Sequence, residues 1–152
     1  MKVVILGIGN ILLKDEGVGV RTIEYLHRFS FPPQVELVDG GTATFDLFGL
    51  FTETDHLVVI DAVKGGMSPG TIYRLEPKDL LPRQHTPISP HDLGLLDALD
   101  MAAKIGRLPH SVVIFGIEPK EIDWGMELSP EIEGIIPKVA DLVLAEVEGY
   151  LK

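Results

Sequence analysis

The apolar and polar positions of this chain alternate between strand-like and helix-like patterns. Val3 to Ile8 is an apolar run rich in β-branched residues, the signature of a strand buried on both faces. Gly17 to Phe29 sets Val18, Val20, Ile23 and Leu26 on an approximate helical stripe, which Pro32-Pro33 ends. Val35 to Val38 predicts a short strand and Phe45 to Phe51 a short helix. Leu57 to Ile60 predicts a third buried strand, closed by Asp61. Gly65, Gly66, Pro69 and Gly70 mark a turn, and Thr71 to Leu75 alternates as an edge or antiparallel strand would. Prolines 77, 82, 87 and 90 predict an extended loop from Pro77 to Pro90. Ser89-Pro90-His91-Asp92 then starts a helix with an N-cap serine, proline at the first helical position and an acid at the third. Leu93, Leu96, Leu99 and Ala103 continue this helix until Gly106 stops it. Val112 to Ile117 is the last buried strand. Ser129-Pro130 opens a helical region to about Leu151, in which Pro137 predicts a kink or a restart.

Strands alternating with helices, several of them apolar on both faces, predict an α/β fold with a mostly parallel sheet. A length of 152 residues fits a single domain over 1–152. With 45% hydrophobic residues such a domain buries roughly 70% of its unfolded surface. The absence of cysteine excludes disulfides, a thiolate nucleophile and a cysteine metal site, and fits a reducing compartment. A formal charge of −10 argues against a nucleic-acid partner and favours a cationic or metal-carrying one, although solubility also explains acid. The N-terminus superficially resembles a signal peptide, but Gly7, Gly9 and Asn10 interrupt its apolar run and Asp15-Glu16 follow. No run approaches the ~20 apolar residues of a membrane span.

Two familiar motifs fail. Gly7-Ile8-Gly9-Asn10-Ile11-Leu12 begins like a dinucleotide fingerprint, but Leu12 stands where glycine or alanine is required and two acids follow. Gly66-Met67-Ser68-Pro69-Gly70 matches a serine-hydrolase elbow in letters only. A strand follows it, and Pro69 lacks the N–H that an oxyanion hole needs. There is no His-Glu-x-x-His.

What remains is a dispersed constellation. Glu16 follows the first strand at the start of the first helix, Asp61 ends the third strand, and His91 lies in the first turn of the helix before the last strand. In a parallel sheet, strand C-termini and helix N-termini share one edge, and sites form there. Two carboxylates and an imidazole suit a borderline divalent ion such as nickel or zinc. Taken singly, Asp15 or Glu16 could complement a helix dipole, Asp61 could cap a turn and His91 could be an ordinary first-turn residue; the shared edge favours a site. His27 reads as a helix-surface residue, His56 as a local hydrogen-bond partner, His85 as a secondary loop contact and His110 as a loop residue.

At these residues the chain resembles the hydrogenase maturation proteases. Gly7-Ile8-Gly9-Asn10, Leu12 and Asp15-Glu16-Gly17-Val18-Gly19 resemble their N-terminal signature, and Asp39-Gly40-Gly41-Thr42 their glycine loop. Ile60-Asp61-Ala62 is similar to their strand-end acid, and Ser89-Pro90-His91-Asp92-Leu93-Gly94-Leu95 to their histidine segment. Gly116-Ile117-Glu118-Pro119 and Leu128-Ser129-Pro130-Glu131 resemble their C-terminal blocks. The resemblance implies a three-layer fold of the phosphorylase/hydrolase-like kind, with a twisted five-stranded sheet between helices. It implies a cytoplasmic, monomeric endopeptidase, often grouped with aspartyl-type proteases. Its partner would be the nickel–iron hydrogenase large-subunit precursor, whose C-terminal extension it removes after nickel insertion. Glu16, Asp61 and His91 would contact that nickel, which the substrate carries, with zinc or cadmium standing in for it in vitro. Asp39, Gly40, Gly41 and Thr42 would contact the substrate. No serine, cysteine or zincin system is present, so hydrolysis needs a metal-polarised carbonyl or water, with Glu16 or Asp61 a candidate general base. A metal-binding chaperone on the same scaffold would use the same three ligands without cutting, and a nucleotide-binding domain is a third reading.

Overall fold

The computed structural model describes the backbone of residues 1–42, 47–80 and 90–152, and the side chains of these except at 47, 48, 80 and 90–96. The strands are β1 (Val3–Ile8), β2 (Val35–Gly41), β3 (His56–Ala62), β4 (Ile72–Leu75) and β5 (Ser111–Ile117); the helices are α1 (Val18–Leu26), α2 (Leu47–Thr52), α3 (Pro90–Lys104) and α4 (Pro130–Tyr150). They form one sheet in the order β2-β1-β3-β5-β4. β1 pairs in parallel with β2 and β3, and β3 with β5, whereas β4 joins the edge antiparallel to β5. The alternation of Thr71 to Leu75 therefore marks a strand that is both antiparallel and at an edge.

Successive side chains of a strand point to opposite faces, so each inner strand feeds two cores. Val3, Ile5, Val58, Ile60, Val113, Phe115 and Ile117 pack with the buried faces of α1 and α4. Val4, Leu6, Ile8, Leu57, Val59 and Ile114 pack with Phe51 of α2 and with Ala98, Leu99 and Ala102 of α3. This is the three-layer architecture expected of doubly buried parallel strands.

Several boundaries differ from the sequence pattern, each for a physical reason. The first helical region opens with a 3-10 turn, Lys14–Gly17, and α1 proper ends at Leu26. β2 runs on to Gly41 because β1 keeps pairing with it, with a register shift between Gly7 and Ile8. In α3 the buried stripe is Ala98, Leu99 and Ala102, and Ala103 is exposed. Packing on the sheet and α2 set that phase. Leu93 and Leu96 lie outside the described side chains, and residues 81–89, including Ser89 and most of the proline-rich loop, outside the described residues altogether. Gly106 stops α3 as expected, at φ 71° with the Arg107 N–H on the Ala102 carbonyl. α4 passes through Pro137 without restarting. The ring lies on the exposed face, where water can serve the carbonyl of Glu133 that has lost its donor.

Two close contacts fix the edge where β1 and β3 end. α1 is seated so tightly on the sheet that a methyl on Gly19 would stand 2.2 Å from the Ile60 carbonyl oxygen and 2.5 Å from that of Ile8. A methyl on Gly7 would likewise meet the Gly19 carbonyl at 2.4 Å. The second contact is Asp15, fully buried inside the 3-10 turn. Its carboxylate accepts the N–H groups of Lys120, Glu121 and Ser129 at 3.0, 2.8 and 2.7 Å, and the Ser129 hydroxyl at 2.7 Å. The hydroxyl at the N-cap of α4 thus serves Asp15 rather than the helix. Charge-assisted bonds of this kind hold the long β5–α4 connection against the start of α1.

Gly19→Ala should destabilise the protein by about 2 kcal/mol or more, because both obstructing groups are backbone carbonyls that cannot step aside. Asp15→Ala should cost about 3 kcal/mol by leaving buried donors unpaired. Urea denaturation checks both; a loss under about 0.5 kcal/mol, the ordinary scatter of surface substitutions, contradicts the packing argument.

Candidate functional site

Strand order locates the crevice. From β1 the chain passes to β2 on one side, then returns to place β3 on the other. The connections leave the carboxyl ends of β1 and β3 in opposite directions, and the gap between them is where open α/β sheets bind ligands.

Glu16 stands in the 3-10 turn that follows β1, half-buried, immediately before α1. Asp61 is the penultimate residue of β3 and 2% exposed; its Oδ1 accepts the N–H of Ala62 at 2.8 Å. Strand alternation assigns Asp61 to the face covered by α2 and α3, because Ile60 packs with α1 and α4. The segments bearing the two acids meet at one edge of the sheet, the carboxyl ends of β1 and β3. Gly19 ties them together: three residues after Glu16, it rests on the carbonyl of Ile60, directly before Asp61. His91 is the second residue of α3, at that helix's N-terminus; its side chain lies outside those described. Among the described residues no three His, Asp or Glu groups are arranged to hold a metal ion.

The expected Asp39–Thr42 loop is instead the end of β2, with Asp39, Gly40 and Gly41 in the strand and only Thr42 beyond it, because Gly7 and Ile8 of β1 pair with Asp39 and Gly41. Asp39 is exposed and its Oδ1 accepts the Gly41 N–H at 2.9 Å, with Gly41 at φ 46°. The Gly41 carbonyl takes the N–H of Gly9 at 2.9 Å. Gly9, at φ 140°, lies so close to the Glu16 carbonyl that an added methyl would stand 2.0 Å from it. The glycines that imitate a dinucleotide fingerprint thus pack the end of β2, the 3-10 turn and α1 together.

The remaining histidines fall elsewhere. His27 caps the exposed end of α1. His56 begins β3, at the opposite edge of the sheet, where its Nδ1 lies 2.7 Å from the Ser111 hydroxyl and its ring stacks on Tyr150. His110 is beside Asp55 at that same far edge. His85 lies outside the described residues. The Gly66–Gly70 segment is a turn between β3 and β4, with both of its end glycines at φ 89°.

Two residues were not legible as supports. Asp15 carries the β5–α4 loop, and the adjacent pair Asp15-Glu16 gives no sign of which acid turns inward. Glu118, buried after β5, accepts the N–H groups of Gly65 and Met67 and the Tyr73 hydroxyl at 2.8, 3.2 and 2.6 Å. It so fixes the loop that leaves Asp61. Burial, and secondly this bond to Glu118, raises the Tyr73 phenol above its ordinary value.

The chain is similar to known proteins along most of its length. The family model of hydrogenase maturation proteases matches residues 20–146, a span that includes Asp61 and His91 and begins just after the Glu16 turn. The hydrogenase 2 maturation protease of Escherichia coli K12 is 37% identical over 147 residues, covering 95% of this chain and 90% of its own. The hydrogenase expression/formation protein HoxM of Cupriavidus necator is 39% identical over 151 residues, 93% of this chain and 73% of its own. Among solved structures, the hydrogenase maturating endopeptidase HybD from E. coli aligns with a TM-score of 0.91 at 35% identity, over 99% of this chain and 94% of that one. The chain belongs to the hydrogenase maturation protease family and is a peptidase.

Proposed function

We propose that this chain, acting in the cytoplasm as one domain over 1–152, removes the C-terminal extension of a nickel–iron hydrogenase large-subunit precursor once nickel is inserted. Glu16, Asp61 and His91 receive the nickel that the precursor carries, so the metal is part of the substrate. The observation that supports this reading is the seating of Gly19 on the carbonyls of Ile8 and Ile60, which makes the Glu16 turn and the Asp61 strand end neighbours across the crevice. Carboxylate oxygens and a neutral imidazole form a donor set for a borderline divalent ion.

The chain's own residues supply the rest. Without cysteine there is no thiolate, and the one serine motif is a turn, so water is the nucleophile. A carboxylate accepts the proton that water loses as it attacks the scissile carbonyl, and the departing amine takes a proton, in the manner of aspartyl-type hydrolysis. Asp61 is buried near the end of β3 with one oxygen accepting the Ala62 N–H, and Glu16 is half-buried on the turn before α1; either carboxylate is placed to act as the base. Asp39, Gly40, Gly41 and Thr42, at the end of β2, contact the substrate from the flank.

Mass spectrometry after incubation tests this directly: nickel-loaded precursor should be shortened and nickel-free precursor left whole. Equal cutting of the two would refute recognition through the metal, and no cutting would leave a metal-binding chaperone. Glu16→Gln, Asp61→Asn and His91→Ala should each lower kcat/KM by about 100-fold or more, with circular dichroism unchanged. A variant that keeps the wild-type rate removes that residue from the site.

A further inference from the structure

Beside the Glu16 turn the β5–α4 connection presents an apolar cluster to solvent. Ile122, Trp124 and Met126 are 37%, 76% and 57% exposed, and Leu12 next to them is 46% exposed. Trp124 is the chain's single tryptophan. An indole left in water forgoes the burial that drives folding, and a contiguous group of such residues marks a contact surface.

The segment carrying them is anchored. Asp15 holds its start and end through Lys120, Glu121 and Ser129. Leu13 and Gly125 form a parallel bridge, in which the Leu12 carbonyl accepts the Gly125 N–H and the Gly125 carbonyl accepts the Lys14 N–H. Arg21 reaches the Met126 carbonyl with Nη2 at 3.0 Å, and the Trp124 N–H donates to Asp123 Oδ1 at 2.7 Å. A partner meeting this surface has little loop ordering to oppose it. Its rim is acidic: Asp123 and Glu127 flank the cluster, and its lysines are already matched, Lys14 by Glu121 and Lys120 by Glu131. The complementary face is apolar with basic margins.

We infer that Leu12, Ile122, Trp124 and Met126 form an exosite for the folded body of the hydrogenase precursor, beside the segment to be cut. The inference rests on the reading of this chain as the precursor's endopeptidase. Its consequence is a fixed distance between two recognition points. Asp15 grips the exosite loop, and the next residue along the chain is Glu16, so body and cleavage crevice are held by one rigid piece.

The test compares wild type, Trp124→Ala and Trp124→Phe on immobilised nickel-loaded precursor and in cleavage kinetics. Trp124→Ala should weaken binding and raise KM by about tenfold or more while kcat and the urea midpoint stay near wild type; Trp124→Phe should restore most of the loss. Equal binding by wild type and Trp124→Ala, or no binding by wild type, overturns the exosite. Binding that depends on Trp124 without any cutting would preserve the exosite and refute the proteolytic reading instead. Sedimentation of the protein alone adds a further outcome: a dimer abolished by Trp124→Ala would assign the surface to a second copy of the chain and overturn the inference.

Discussion

The absence of a side chain at Gly19 is the constraint on which the working edge of this protein depends. A helix normally stands clear of the sheet by the thickness of its side chains. Here its first turn descends onto the carbonyls of Ile8, the last residue of β1, and Ile60, near the end of β3, which no residue with a β-carbon could do. The approach brings the β1–α1 turn to the strand end that bears Asp61, and so makes one crevice from two remote segments. Gly7 and Gly9 extend the same device, letting the backbone of α1 and of the Glu16 turn lie against β1.

Division of labour between two adjacent acids follows. Asp15 is buried and satisfied by four donors, so it acts as a clamp between the start of α1 and the start of α4. Glu16 is left at the rim. Burying a carboxylate is costly unless its hydrogen bonds are met, and here the loop it organises supplies them. The same logic operates at Glu118, whose oxygen gathers the loop after β3. Both acids tie remote loops to the carboxyl-end edge of the sheet.

The charge of the chain is strongly acidic. With 23 acidic against 13 basic side chains, a cation arriving on a partner is drawn toward the surface, whereas a phosphate backbone is repelled. Family membership as a peptidase accords with a chain that has no thiol and so must cut without a cysteine nucleophile.

The order of strands and helices, the doubly buried character of β1, β3 and β5, and the edge position of Thr71 to Leu75 were legible in the sequence, because periodicity and turn residues are local properties. So was the sharing of one edge by Glu16 and Asp61, which follows from parallel topology alone. The phase of α3, the passage of α4 through Pro137 and the extra length of β2 were not, since they depend on which surface a neighbouring element offers. Nor could the burial of Asp15 be read beside Glu16: the two differ in burial because the chain returns more than a hundred residues later to place Lys120, Glu121 and Ser129 around Asp15. Pattern along a chain encodes which face is apolar; only packing decides which polar group is enclosed.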